Sequence, residues 1–570
     1  MATPADVAEA LVEPAPAPPA PATGFLDRLG GPRRTALAVG LLLLAFALPL
    51  YGQLRNQGPP MEEGFMLVFP EMVLEGAVPN RDFLHLYGPG SLWVLAAVFE
   101  VFGTSLTAER LVGLAQQVGL VLAVFAVAKL WGRTVALCCA AVALLIIVPP
   151  IGLTALAWVG AVAFGLWAIH LGLLSRYAGD ERWAGRVATG AGVLAGFAVL
   201  YRPDLVLALG FATIALVRGM PWARTRRLLL GLVIGSSPYL VHLATAGVGP
   251  AIRGMVLDPV FYLRGGRRLP IPPSPTELEG FLQKAGDLEP FGWPIPMIQT
   301  PAQITIWFFA LLASVAALVV LGVTLVRREP GSRRARTLLV LAAFSLGLLP
   351  QALQRADSTH LAWVSAVPMG LLPIVGAELL RRRQSLTQRR RGLLAGGAVL
   401  GAIVLVLPAF TARSYADAVA QTFGHHRLSY PIEHEGRTFY YGRPDVAAAL
   451  PPLLDEVERI TEPGDRLFVG TSDLRKTPYN DSFIYYLLPD LEVATYYVEM
   501  DPGVANREGS GMAEDLASAD VVVLTSVWDA WDEPNDARIV GSDESNVVLR
   551  EQFCSVGTYE GLYELLRRCP

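Results

Sequence analysis

Apolar runs long enough to cross a bilayer recur along this chain, and no other feature restricts its folding as much. Stretches such as TALAVGLLLLAFALPLY (35 to 51) and ITIWFFALLASVAALVVLGVTLV (304 to 326) approach or exceed the roughly 20 residues a spanning helix needs. With 53% hydrophobic residues and only 17% charged, the chain is too apolar for a soluble domain. Spans are expected at 35 to 51, 108 to 130, 133 to 149, 152 to 175, 187 to 201, 204 to 218, 228 to 246, 303 to 326, 337 to 354, 360 to 380 and 392 to 411. The loops between them alternate in charge. Arg28, Arg33 and Arg34, then Lys129 and Arg133, then Arg176, Arg182 and Arg186, then Arg218 to Arg227, then RREPGSRRAR (327 to 336) and RRRQSLTQRRR (381 to 391) fall in every second loop. The positive-inside rule makes these loops and the N-terminus cytoplasmic. The pattern holds only if GSLWVLAAVFEVFG (90 to 103) lies along the membrane without crossing it.

The fold class expected is therefore a polytopic α-helical membrane protein of about eleven spans with a C-terminal soluble α/β domain. Residues 1–34, with EPAPAPPAPATG, read as a disordered cytoplasmic tail ahead of an uncleaved anchor. Residues 35–412 form the membrane domain, with outer loops at 52–107 and 247–302, the second rich in Pro, Gly and Arg, including Arg264, Arg267 and Arg268. Residues 413–570 alternate helix-like DVAAALPPLLDEVERI (445 to 460) with strand-like DRLFVG (465 to 470), VATYYV (493 to 498) and DVVVLTS (520 to 526), the pattern of an extracytoplasmic α/β domain. In an oxidising outer compartment Cys554 and Cys569 are candidates for a disulfide, whereas Cys138 and Cys139 sit inside a span. The segregation of charge to loops gives no footprint for nucleic acid, and no spaced metal motif or phosphate-binding glycine loop occurs.

Polar chemistry concentrates in residues 61 to 111, MEEGFMLVFPEMVLEGAVPNRDFLHLYGPGSLWVLAAVFEVFGTSLTAERL. Glu62 and Glu63 open an apolar helix-like run, and Arg81, Asp82, His85 and Tyr87 follow. Two adjacent carboxylates against apolar surface repel and lose hydration, which raises at least one pKa towards that of a general base. The same pair also suits the first turn of an interfacial helix, where acids are favoured by the helix dipole. Likewise Arg81 beside Asp82 reads as an ion pair, and His85 as a packing residue or a catalyst. Two further clusters lie at the outer ends of spans: Arg202 and Asp204 in YRPDL, and Arg355, Asp357 and His360 in QRADSTHL. Each reads as a structural pair or as an anion site, since arginine forks suit phosphate.

The combination resembles the GT-C superfamily of polytopic glycosyltransferases, specifically bacterial relatives of the dolichyl-phosphate-mannose protein mannosyltransferases and aminoarabinose transferases. The residues that carry the resemblance are Glu62 and Glu63, GAVPNRDF (76 to 83), YGPGSLWVLAAVFEVFG (87 to 103), and Arg110 with Leu111. Asn80 stands where the pattern has an aromatic residue, and Gly-Pro-Gly where many members have Lys-Pro-Pro, so any phosphate contact has to come from arginines elsewhere. The resemblance implies transfer of a hexose or pentose from a polyprenyl-phosphate donor to an envelope glycan, lipid or protein, with inversion, on the outer face of a bacterial plasma membrane. Glu62, Glu63 and Asp82 are then the catalytic candidates, and Arg81, His85, Tyr87, Arg202, Asp204, Arg355, Asp357 and His360 the candidates for donor-phosphate or substrate binding. No cofactor is expected; a divalent metal, used by some members with paired acids, is not favoured. The rival reading is a transporter or flippase of an envelope lipid or glycan, in which intramembrane charges mark a path.

Overall fold

The computed structural model describes residues 31–277, 298–381, 383, 385–425 and 429–570. Most of the expected N-terminal tail, and residues 278–297 of the second outer loop, lie outside the described residues. Among the described residues eight helices are long and apolar enough to cross a membrane: Pro32–Gln53, Leu106–Trp131, Arg133–Ile151, Ala157–Tyr177, Glu181–Tyr201, Trp222–Ala246, Thr300–Arg328 and Arg333–Gln354. The chain is an integral membrane protein. The other three expected spans differ from the sequence reading in form. Pro203–Val217 is a short apolar helix. Residues 360 to 380 split into the helices Ser358–Ser365 and Leu372–Leu380, because Pro368 cannot donate to the helical ladder. Gln388–Val406 meets Ala409–Thr422 at 93°, the break falling beside Pro408.

Small residues let the membrane helices touch. A Cβ on Gly192 would lie 2.0 Å from the Leu228 carbonyl oxygen, and one on Gly231 would lie 2.0 Å from that of Thr189. Glu181–Tyr201 therefore packs on Trp222–Ser236 backbone to backbone, as small-residue motifs allow in a bilayer. The segment expected to lie along the membrane is the 13-residue helix Gly90–Phe102, about 20 Å long and too short to cross roughly 30 Å of hydrocarbon.

The C-terminal part is α/β. A hairpin pairs β1 (Tyr430–His434) with β2 (Arg437–Tyr441), and a five-stranded sheet has the order β4-β3-β5-β7-β6. Its strands are β3 (Arg466–Thr471), β4 (Glu492–Val493), β5 (Val521–Thr525), β6 (Phe553–Tyr559) and β7 (Tyr563–Arg568). β3 pairs in parallel with β4 and β5, while β7 runs antiparallel to β5 and β6. Strand β5, VVVLT, is buried along its whole length, as expected of a central strand covered on both faces. The helix Pro444–Ile460 buries Val446, Ala449, Leu450, Leu453, Leu454 and Val457, an i, i+3, i+4 stripe against the domain core. VATYYV, expected as a strand, pairs only at its edge. Past Val493 it leaves the sheet, and the Tyr496 carbonyl instead accepts from Leu84 N–H in the first outer loop at 2.8 Å. Cys554 and Cys569 form a disulfide that ties β6 to the end of β7.

Candidate active site

The helix Pro60–Leu74 begins with Pro60, whose fixed φ suits a first helical position, and carries Glu62 and Glu63 in its first turn. Consecutive residues on a helix point about 100° apart, and here that separation gives the two glutamates different surroundings. Glu63 turns inward and is fully buried. Arg110, also buried, donates to both of its oxygens, Nε to Oε1 at 2.8 Å and Nη2 to Oε2 at 2.7 Å. The remaining Arg110 nitrogen, Nη1, donates to the carbonyls of Gln53 and Leu54. Glu63 thus joins the first outer loop to the start of the Leu106–Ala128 helix, with all of the guanidinium engaged. Gly58 permits this, since a Cβ there would meet the Glu63 carboxylate at 2.2–2.3 Å.

Glu62 turns the other way, into a cavity of about 720 Å³ between the ends of the membrane helices and the C-terminal domain. Among the described residues no arginine forms an ion pair with it. Its Oε2 accepts from the Tyr479 hydroxyl at 2.6 Å, and that hydroxyl is itself fixed by Met61 N–H at 3.0 Å. Burial pushes the Glu62 pKa up to about 7, against the opposing effects of the Tyr479 hydrogen bond and the charges of Arg267 and Arg355.

Arginines face Glu62 across the cavity. Arg202 lies between the rings of Tyr87 and Trp158, with Cζ 4.3 and 5.1 Å from their centroids. Its Nε and Nη2 bind Asp204 at 2.9 and 2.8 Å, and Nη2 also reaches Gln351 Oε1 at 3.5 Å. Arg264 is exposed to the cavity and has no carboxylate partner among the described residues. Arg267 is held by Asp501. Arg355 is fully committed: Nε donates to Asp357 at 2.7 Å, Nη1 to the Arg267 carbonyl and to Glu533, and Nη2 to Glu533. His360 Nδ1 lies 2.8 Å from Asp357 Oδ1, and the ring lines the cavity. Burial of Asp357 favours its neutral form, but His360 and Arg355 outweigh that and hold its carboxyl below the usual range.

The cavity thus gathers Glu62, Glu63, Tyr87, Arg202, Asp204, Arg355 and His360 from the sequence candidates, Glu63 at its wall and bound to Arg110, with Asp357 immediately behind Arg355 and His360. Three others stand apart. Asp82 is exposed, accepts from Val78 N–H at 2.7 Å and pairs with Arg81 at 2.7 Å, so this ion pair closes a turn outside the cavity wall. His85 is fully buried between the edges of Phe69 and Tyr87, and burial pulls its pKa down to about 3. Sequence reasoning missed Tyr479, Glu499, Asp501 and Glu533. All four belong to the C-terminal domain and reach the membrane domain only through tertiary contact, so no local pattern marks them. Among the described residues no group of three or more His, Cys, Asp and Glu side chains is placed to hold a metal ion; Glu63, Asp204 and Asp357 each pair with an arginine instead.

Fold and site together define a polytopic membrane protein whose polar cavity is closed by a folded C-terminal domain. No family model matches the chain, and no curated protein matches it. Among solved structures it is similar to ArnT from Cupriavidus metallidurans bound to undecaprenyl phosphate, with a TM-score of 0.49, 13% identity, and coverage of 94% of this chain and 98% of that one. The apo state of the same protein gives a TM-score of 0.49 and 13% identity over 93% and 98%. The Archaeoglobus fulgidus oligosaccharyltransferase in its apo form gives a TM-score of 0.43 and 14% identity over 92% of this chain and 74% of that one.

Proposed function

We propose that the protein is an inverting membrane glycosyltransferase that moves a hexose or pentose from a polyprenyl-phosphate donor to an envelope glycan, lipid or protein. The observation that carries this reading is the asymmetry of the glutamate pair. Glu63 is neutralised by Arg110, while Glu62 faces the cavity without an arginine partner and titrates near neutrality, as a general base should. Arg202 and Arg264 line the cavity as N–H donors for a phosphate, and Met255, Pro259, Val260 and Leu263 give the same cavity an apolar flank suited to the first isoprene units. In the reaction the acceptor oxygen attacks the anomeric carbon and its proton passes to Glu62. The bond from that carbon to the phosphate oxygen breaks, and the electron pair leaves on the phosphate, where arginine stabilises the charge. The reading needs no divalent ion, because arginine meets the anionic leaving group. The loops rich in arginine support a cytoplasmic N-terminus, and with it a cavity on the outer face of a bacterial plasma membrane.

The test is sugar transfer by purified protein in liposomes containing undecaprenyl-phosphate sugars. Glu62→Gln is expected to lower kcat/KM by roughly 10²- to 10⁴-fold, the range for loss of a general base. Turnover unchanged in Glu62→Gln rejects the base, and absence of transfer from every donor sugar tried rejects the transferase.

A further inference from the structure

The segment after β4 brings two more carboxylates into the cavity. Glu499 and Asp501 both line it, and they are 5% and 1% exposed. Asp501 Oδ1 takes both Nε and Nη2 of Arg267, and its Oδ2 is buried without a donor. The Glu499 carboxylate accepts no hydrogen bond among the described residues, and its Oε2 is also buried. Buried acceptors left without donors are costly and rare, and they are retained where a ligand completes them. A ligand that satisfies such acceptor oxygens carries O–H or N–H donors.

Position says which ligand. Arg267 binds Asp501 directly, and Arg202 and Glu62 line the same cavity as Glu499 and Asp501. The two carboxylates therefore share one cavity with the base and with the cations that suit a phosphate, as a group holding the transferred ring has to. We infer that Glu499, with the free oxygen of Asp501, binds hydroxyl or ammonium groups of the donor sugar, so that the C-terminal domain contributes to donor selection. The inference rests on the transferase reading and deepens it, assigning the domain a part in the donor site itself.

The experiment measures binding of the full-length protein in nanodiscs to bare undecaprenyl phosphate and to its mannose, glucose and arabinose derivatives. Wild type is expected to bind at least one sugar-bearing lipid tenfold or more tightly than the bare lipid. Glu499→Gln is expected to lose that increment while holding the bare lipid within twofold of wild type. Glu499→Asp, which keeps the carboxyl group and shortens the reach, is the second variant and is expected to show the same selective loss. Equal loss for bare and sugar-bearing lipids, or unchanged affinity for both, overturns the inference. A wild type that binds the bare lipid but gains nothing from any sugar overturns the inference and leaves the transferase reading standing; a wild type that binds none of the lipids overturns both.

Discussion

Glu62 and Glu63 differ by one position and by nearly everything else that matters to a carboxylate. Glu62 works as a base only when ionised. Its pKa of about 7 therefore predicts a kcat/KM that is nearly full above pH 8 and falls about tenfold per unit below pH 6. The limb should be absent from the residual activity of Glu62→Gln, and a wild-type midpoint near the ordinary carboxylate value of about 4.3 would remove Glu62 from the role. Glu63→Gln should behave in the opposite way. It leaves Arg110 buried and unpaired, which costs about 3–5 kcal/mol of stability, while the pH limb of whatever protein remains folded stays where it was. Thermal unfolding and a pH profile on the same preparation separate the two residues. The sequence made the pair conspicuous and could not divide it, because the division depends on Arg110, 47 positions away in the chain, and on Tyr479, 417 positions away.

At the level of elements, the C-terminal domain is attached to the membrane domain by polar contacts between short segments. Tyr479 and Ser482 hold Met61 at the start of Pro60–Leu74. Arg437 binds Glu71 further along that helix, with Nη1 to Oε2 at 2.9 Å and Nη2 to Oε1 at 2.6 Å. Gly64 lets the helix sit against Phe483–Leu487, since a Cβ there would meet Phe483 N at 2.4 Å. A buried ion pair, Arg355 to Glu533, also joins the two domains, with side chains 6% and 3% exposed. Removing one partner strands a buried charge, so Glu533→Gln is expected to cost about 3–5 kcal/mol. Replacing both with apolar residues of similar size should recover much of that loss, and a double-mutant cycle read by thermal unfolding in detergent measures the coupling. Coupling near zero would mean that Arg355 is satisfied by Asp357 alone and is free to meet a phosphate. Helices such as 445 to 460 were legible because their apolar spacing survives in any context. The failure at VATYYV was of another kind: its alternation is real, but Leu84 of the first outer loop takes the Tyr496 carbonyl and draws the segment off the sheet.

For the molecule as a whole, side-chain contacts count membrane crossings better than helix length does. On one face, Arg202, Asp204, Arg267, Arg355, His360 and Glu62 share a cavity with the C-terminal domain. On the other, Arg176 donates to the Leu216 and Arg218 carbonyls, Arg333 stacks on Tyr177, Arg381 pairs with Glu329, and Gln388 donates to the Trp131 carbonyl at 2.6 Å. The topology expected from the sequence has the chain pass from the cavity face to the opposite face between Arg202 and Arg218, and again between His360 and Arg381. Pro203–Val217 is 15 residues long, about 22 Å at 1.5 Å per residue. A helix that short crosses only with local thinning of the bilayer or with flanking residues reaching to the interface, at modest cost. Crossings there, in Gln388–Val406 and in the broken segment 358 to 380 would bring the eight long helices to the eleven spans expected from the apolar runs and the alternation of arginine in the sequence. Single cysteines, in a background with Cys138 and Cys139 replaced by serine, test this in intact cells with a membrane-impermeant maleimide. Glu75→Cys, on the cavity face, should label from outside, whereas Ala223→Cys and Ser385→Cys should label only after the membrane is opened. Labelling of Ala223→Cys from outside would mean that Pro203–Val217 does not cross, and the arginines from Arg218 to Arg227 would then have to lie on the outer face against the positive-inside rule.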